Sequence, residues 1–198
     1  MTVVATDKRA QRTEAAIKTA YESLLQASDG KRIRVSDLTA KAGINRKTFY
    51  LHYDTIEDLE ESYVEDISAD LENRLRSHSL EEYTHQRGLM LEVLADFFDS
   101  NRDFYTFAIL KDGNGSSISN RVETRLVQHY GEVMQTVYPL DQDQAILLAS
   151  FILGTMLNGL RLQMSGVTNF SRSELRGLIT RLIPTGLSSF GLGLHFED

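Results

Sequence analysis

The chain has 198 residues, 41% of them hydrophobic, and carries a net charge of −7. That length accommodates one or two domains with a sizeable core. The lack of cysteine excludes disulfides and thiolate metal sites and fits a reducing compartment such as the cytoplasm.

Helical spacing of apolar residues dominates from end to end, only two prolines occur, and no strand-like alternation persists, so an all-α fold is expected. A first helix is predicted from about Asp7 to Ala27, with Ile17, Ala20, Tyr21, Leu24 and Leu25 on one face and Ser28-Asp29-Gly30 ending it. Val35 to Ala42 reads as a second helix and Arg46 to Tyr53 as a third. Thr55 then caps a long helix whose apolar residues Leu59, Tyr63, Ile67, Leu71 and Leu75 recur every four positions. Leu89, Met90, Val93, Leu94, Phe97 and Phe98 form a buried stripe, followed by a short aromatic helix around residues 104–110. The run DGNGSSISN (residues 112–120) reads as a loop. Helices are expected at about 121–137, 142–165 and 172–190, the last interrupted by Pro184. No basic-then-apolar leader opens the sequence, so no signal peptide is expected. The apolar stretch 144–160 falls short of the ~20 residues that cross a bilayer, so no membrane partner is expected.

Charge locates a candidate surface. Residues 1–54 hold ten Lys/Arg against six Asp/Glu, leaving +4, while the remainder stands at −11. Only the N-terminal segment can gain from counterion release at phosphates. Within it lies VSDLTAKAGINRKTFYLHY, from Val35 to Tyr53. Gly43 follows Ala42 where a helix closes in a left-handed residue, and three residues then separate two short helices, the turn length of a helix–turn–helix. Val35, Leu38, Ala42, Ile44 and Phe49 are the apolar positions that lock the pair together. The polar residues left over are Ser36, Asn45, Arg46, Lys47, Thr48, Tyr50, His52 and Tyr53. A recognition helix reads the major groove through its N-terminal residues, so Arg46 and Lys47 are expected at guanine edges and Asn45 at adenine. Thr48, Tyr50, His52 and Tyr53 are expected at phosphates, which fix register without carrying sequence information.

The run AGINRKTFYLHYDTIEDL resembles the DNA-binding domain of TetR-type transcriptional regulators, and the likeness spans about residues 9–64. It implies a helix–turn–helix domain over 1–54 and a helical effector-binding and dimerisation domain over 55–198. A homodimer joined through a four-helix interface, a palindromic operator in double-stranded DNA and a small-molecule effector that releases the repressor follow from the same resemblance. Two positions depart from the pattern. Arg34 stands where relatives cap the second helix with Thr or Ser, so it either leaves that cap absent or reaches a phosphate. Ile56 stands where many have Lys, which puts one backbone contact in doubt.

Beyond the motif the chemistry thins out. The 142–165 segment mixes small residues (Ala149, Ser150, Gly154, Gly159) with large apolar ones, and Leu175, Leu178, Ile179, Leu182 and Leu187 supply a second stripe, as two interface helices would. Phe97, Phe104, Tyr105, Phe107, His129, Tyr130 and Met156 are candidates to line an effector pocket, with Asn158 and Arg161 as its polar groups. There is no GxSxG elbow, no phosphate loop, no HExxH or comparable metal spacing, and no cofactor signature. No catalysis is therefore expected. The alternative reading is a helical adaptor or co-regulator that acts through a protein partner of the C-terminal half.

Overall fold

The computed structural model describes residues 3–27, 32–100, 104–106, 108–109 and 117–188, and among them every regular element is helical. The helices are α1 (Val3–Ala27), α2 (Val35–Ala42), α3 (Arg46–Phe49), α4 (Ile56–Leu75), α5 (Leu80–His85), α6 (Leu89–Ser100), α7 (Phe104–Thr106), α8 (Ser117–Val137), α9 (Gln142–Met164) and α10 (Arg172–Ser188). They form two compact units, Met1–Tyr63 and Val64–Asp198, and the division falls inside α4. The expected stop at Ser28–Gly30, the aromatic Phe107 and residues 112–116 of the expected loop lie outside the described residues.

In the first unit α1 packs on α2, and α2 on α3. Ile17, Leu38 and Phe49 are completely buried where these three helices meet, while Val35, Ala42 and Ile44 are only half-buried. Thr39 joins the core because its hydroxyl donates to the Val35 carbonyl at 2.8 Å, which satisfies it without water. The N-terminal end of α4 is fixed to α1 by two phenols. Tyr21 donates to Glu60 at 2.8 Å, and Tyr63 donates to the Lys18 carbonyl and to Glu22, each at 3.0 Å. The two rings stack at 5.6 Å. Burial, reinforced by the Glu22 carboxylate, pushes the Tyr63 phenol far up, so it remains a neutral donor at any physiological pH.

Gly43 closes α2 with φ +67° and ψ +30°, and the amide of Ile44 returns to the Thr39 carbonyl at 3.0 Å. A Cβ added there would meet nothing within 4 Å, so the requirement for glycine is conformational and not steric. Gly43→Ala is accordingly expected to cost ~1–2 kcal/mol of stability, measurable as a shift of the denaturant midpoint with unchanged slope. An unshifted midpoint would contradict the strain assigned to this turn.

In the second unit the four-residue spacing of Ile67, Leu71 and Leu75 is buried throughout. On α6 the buried set is Leu91, Leu94, Ala95, Phe97 and Phe98; Leu89, Met90 and Val93, expected in the stripe, are half-buried at its edge. Helix α8 begins at Ser117, so the last residues of the expected loop are helical, with Ile118 and Ser119 buried. Helix α9 packs on α8 and α10. A Cβ on Gly159 would stand 3.0 Å from Leu175 Cδ1 and Ile179 Cδ1, so this glycine lets α9 and α10 close up within the chain. Ala149, 1% exposed, is likewise internal. Pro184 does not interrupt α10, which continues through it to Ser188 at the loss of one backbone hydrogen bond.

The expectation from length at α9 also changes. The helix has 23 residues and a mean hydropathy of 1.7 over its most apolar window, enough by length and composition to cross a membrane. What marks it as a core helix is its packing. Ala145, Leu148, Leu153, Met156, Leu157 and Leu160 are buried inside the unit, and Arg161 is engaged by its neighbours.

Candidate nucleic-acid interface

Helix α3 is shorter than expected. Regular helix ends at Phe49, and the chain then tightens, with Leu51 and His52 donating three residues back to Thr48 and Phe49 before Tyr53 returns to Phe49. Such a narrowed last turn is a usual way to finish a helix. Its start is fixed by Asn45, whose side-chain oxygen accepts from the Thr48 amide at 2.8 Å and the Thr48 hydroxyl at 3.1 Å. Asn45 was expected at an adenine edge and Thr48 at a phosphate. Bidentate recognition of adenine would use the same oxygen, which accepts the cap hydrogen bonds here.

Tyr53, expected at a phosphate, also has partners within the chain. It is half-buried, packs 6.0 Å from the Phe49 ring and donates to Glu14 at 3.3 Å, tying the end of the motif to α1. Burial is the main cause that pushes its phenol up. His52 is half-buried beside it, 6.4 Å from the Tyr53 ring.

The residues that remain open are Arg46, Lys47, Tyr50 and Leu51, each exposed, whereas Thr48, His52 and Tyr53 are half-buried and Phe49 is fully buried. Counting about 100° per residue in the helix and about 120° in the tightened turn after it, the four exposed positions spread over roughly 160–180°. Neither Arg46 nor Lys47 has an ion-pair partner among the described residues. Tyr50 is 51% exposed, its ring edge-on to Phe49 at 5.5 Å. Leu51, which polarity alone gives no reason to single out, is 77% exposed. Its place on the helical wheel next to Lys47 was the available signal.

The two departures resolve differently. Arg34 occupies the N-cap position of α2 with extended backbone and no side-chain cap, and its side chain is exposed beside the motif. The missing cap leaves α2 without ~1 kcal/mol of stabilisation. Ser36 is half-buried and donates to Asp37 at 3.3 Å. Ile56 is 9% exposed and contributes to the core. Thr55 and Asp58 cap α4 reciprocally, the Asp58 amide donating to the Thr55 hydroxyl at 3.1 Å and the Thr55 amide to the Asp58 carboxylate at 2.9 Å.

The residues expected around an effector differ in burial and partners. Phe104 and Met156 are buried, Tyr105 stacks on Phe97 at 5.8 Å, and His129 is half-buried against Tyr130. Asn158 is exposed on α9. Arg161, expected as pocket polarity, instead clamps the unit from inside. It donates to the Ile109 carbonyl at 3.2 Å, to Ser119 at 3.1 Å and to Glu123 at 3.4 Å, while Ser119 donates to the same carbonyl. A separate cleft of about 230 Å³ lies between α6, α9 and α10, with Leu91, Ala95, Leu160 and Leu175 as its floor and Glu92, Arg172 and Arg176 at its rim. None of the described residues expected at an effector pocket lines it. Both rim arginines are neutralised: Arg172 bonds Asp96 at 3.0 Å and Asp99 at 3.1 Å, and Arg176 bonds Glu92.

No protein-family model matches the sequence, and no match is found among curated proteins. Solved structures do match in fold. A TetR transcriptional regulator from Streptococcus agalactiae 2603V superposes with a TM-score of 0.66 at 24% identity, covering 91% of this chain and 98% of that one. A transcriptional regulator of the TerR/AcrR family from Aquifex aeolicus VF5 superposes at 0.52 and 16% identity, covering 90% and 99%. From its helix–turn–helix to its last described helix, the chain has the all-helical TetR-type fold.

Proposed function

We propose that this chain is a TetR-type transcription regulator, a cytoplasmic repressor that binds a palindromic operator as a homodimer and is released by an effector. The observation that carries the reading is the single open face of α3. Arg46, Lys47 and Tyr50 are the polar groups the fold leaves unoccupied, on an element whose opposite side is sealed by Phe49. Arginine and lysine address guanine edges, and a tyrosine hydroxyl at the same rim reaches phosphate. The cationic balance of residues 1–54 supports the same surface. The two solved structures compared above are described as transcriptional regulators.

The dimer rests on α9 and α10. Leu147, Phe151 and Leu182 are 63%, 42% and 59% exposed on these two helices, large apolar side chains that a monomer would leave in water. Two such helices from each subunit make the four-helix interface. An effector has a candidate place in the cleft above Leu91 and Leu160, which is smaller than the ~300 Å³ from which ligand pockets usually start, so its ligand is small or widens it.

Selection of bound sequences from random duplex DNA tests the reading. A palindrome with half-sites one helical turn or a multiple apart is expected, since the two recognition helices must meet successive major grooves ~34–36 Å apart. Affinity for the selected duplex is expected to fall by ~0.9 log unit per phosphate contact for each log unit of salt. Recovery of no enriched sequence at low salt would end the proposal.

A further inference from the structure

Leu51 is the most exposed large apolar side chain among the described residues, at 77%, and it stands in the helix–turn–helix and not on the candidate dimer helices. Its backbone is held, since its amide donates to the Thr48 carbonyl at 3.2 Å and the flanking His52 amide to Phe49 at 2.9 Å. A leucine fixed in water gains nothing for the fold. It shares the open arc with Arg46, Lys47 and Tyr50, and the buried Phe49 lies on the opposite side. Whatever the two cations approach, Leu51 meets at the same time.

Resting on the reading of α3 as the element that enters DNA, we infer that Leu51 is a specificity-determining residue that packs on the C5-methyl group of a thymine in the major groove. The chemistry selects that occupant. The cations beside Leu51 suit a polyanionic partner, and the major groove edge of duplex DNA offers one apolar group, the thymine methyl. A phosphate or a guanine edge would give leucine nothing and would cost desolvation. Leu51 therefore adds a preference for T·A at one step in each half-site, next to the base pair that Arg46 or Lys47 addresses.

The test uses the full-length protein and the duplex recovered by selection, with each thymine replaced in turn by deoxyuridine, which removes the methyl and nothing else. One position per half-site is expected to lose about fourfold in affinity, the value of one buried methyl-sized group. Leu51→Ala, which alters an exposed side chain and leaves the fold intact, is expected to bind the thymine duplex more weakly and to show no loss at that position on replacement by deoxyuridine. Equal sensitivity of both proteins at every position would overturn the inference while leaving DNA binding standing, as would a protein partner or a sugar contact using Leu51. Selected half-sites without a thymine at any α3-facing step would overturn it too. Failure to bind any duplex removes the functional reading and this inference together.

Discussion

Replacing Phe49 by alanine is expected to unfold the helix–turn–helix, whereas replacing its neighbour Tyr50 is expected to leave the fold and remove only affinity for DNA. Phe49 is fully buried, at 0% exposure, and holds the rings of Tyr50 and Tyr53 at 5.5 and 6.0 Å. Deleting a buried phenylalanine costs ~3–5 kcal/mol. A unit of this size buries a modest share of its surface, and whole domains are stable by only ~5–15 kcal/mol. The loss therefore takes a large part of what holds α2 and α3 on α1. Tyr50→Ala removes a half-exposed ring, and a surface change of that kind stays within about 0.5 kcal/mol. Its effect on DNA should be uniform across sequences, because a phosphate contact carries no base information. Helical circular dichroism during denaturation, read beside duplex binding, separates the two. Equal loss of stability in both variants would mean that Tyr50 belongs to the core and not to the open face.

That contrast also marks what the sequence made legible. Apolar periodicity identified Phe49, Leu38 and the four-residue ladder of α4 because burial follows directly from spacing once the helix is known. Gly43 was legible for a similar reason, since one residue type adopts its backbone cheaply. Polar residues resisted the same treatment. Asn45 carries chemistry suited both to an adenine edge and to a helix cap, and residue type alone does not reveal its bond to the Thr48 amide. Arg161 was visible as a lone cation on an apolar helix, yet its partners, Ser119, Glu123 and the Ile109 carbonyl, lie far away in the chain. The aromatic residues proposed for an effector pocket fill core equally well, and Phe97 and Phe104 do so. Leu51 fell into neither group, being neither one of the apolar positions that lock the motif nor polar, and its 77% exposure follows only from the structure.

Placing a charge at Phe151 is expected to split the proposed dimer and, with it, to abolish high-affinity operator binding without altering the DNA-reading unit. Phe151 leans over α10, where a Cβ on Gly186 would stand 3.1 Å from its Cζ, and it remains 42% exposed. Covering that exposed part in a two-fold interface would involve both copies of the residue, because an isologous contact repeats every change. Burying a fully exposed aromatic side chain contributes ~1.5–3 kcal/mol; with 42% of Phe151 left to cover, two copies contribute about 1.3–2.5 kcal/mol, and losing them raises the dimer Kd roughly 10- to 70-fold. Phe151→Glu adds a carboxylate that the interface cannot desolvate, which moves the result towards the upper end. A monomer holds one recognition helix and can contact one half-site, so its affinity falls to that of a single module and its salt dependence is reduced in proportion to the phosphates released. Sedimentation at micromolar concentration gives the stoichiometry, and the same preparation assayed on whole and half operators gives the consequence. A Phe151→Glu protein that sediments as the wild type does would place the subunit contact elsewhere, and the exposed leucines of α9 and α10 would then need a different partner to cover them.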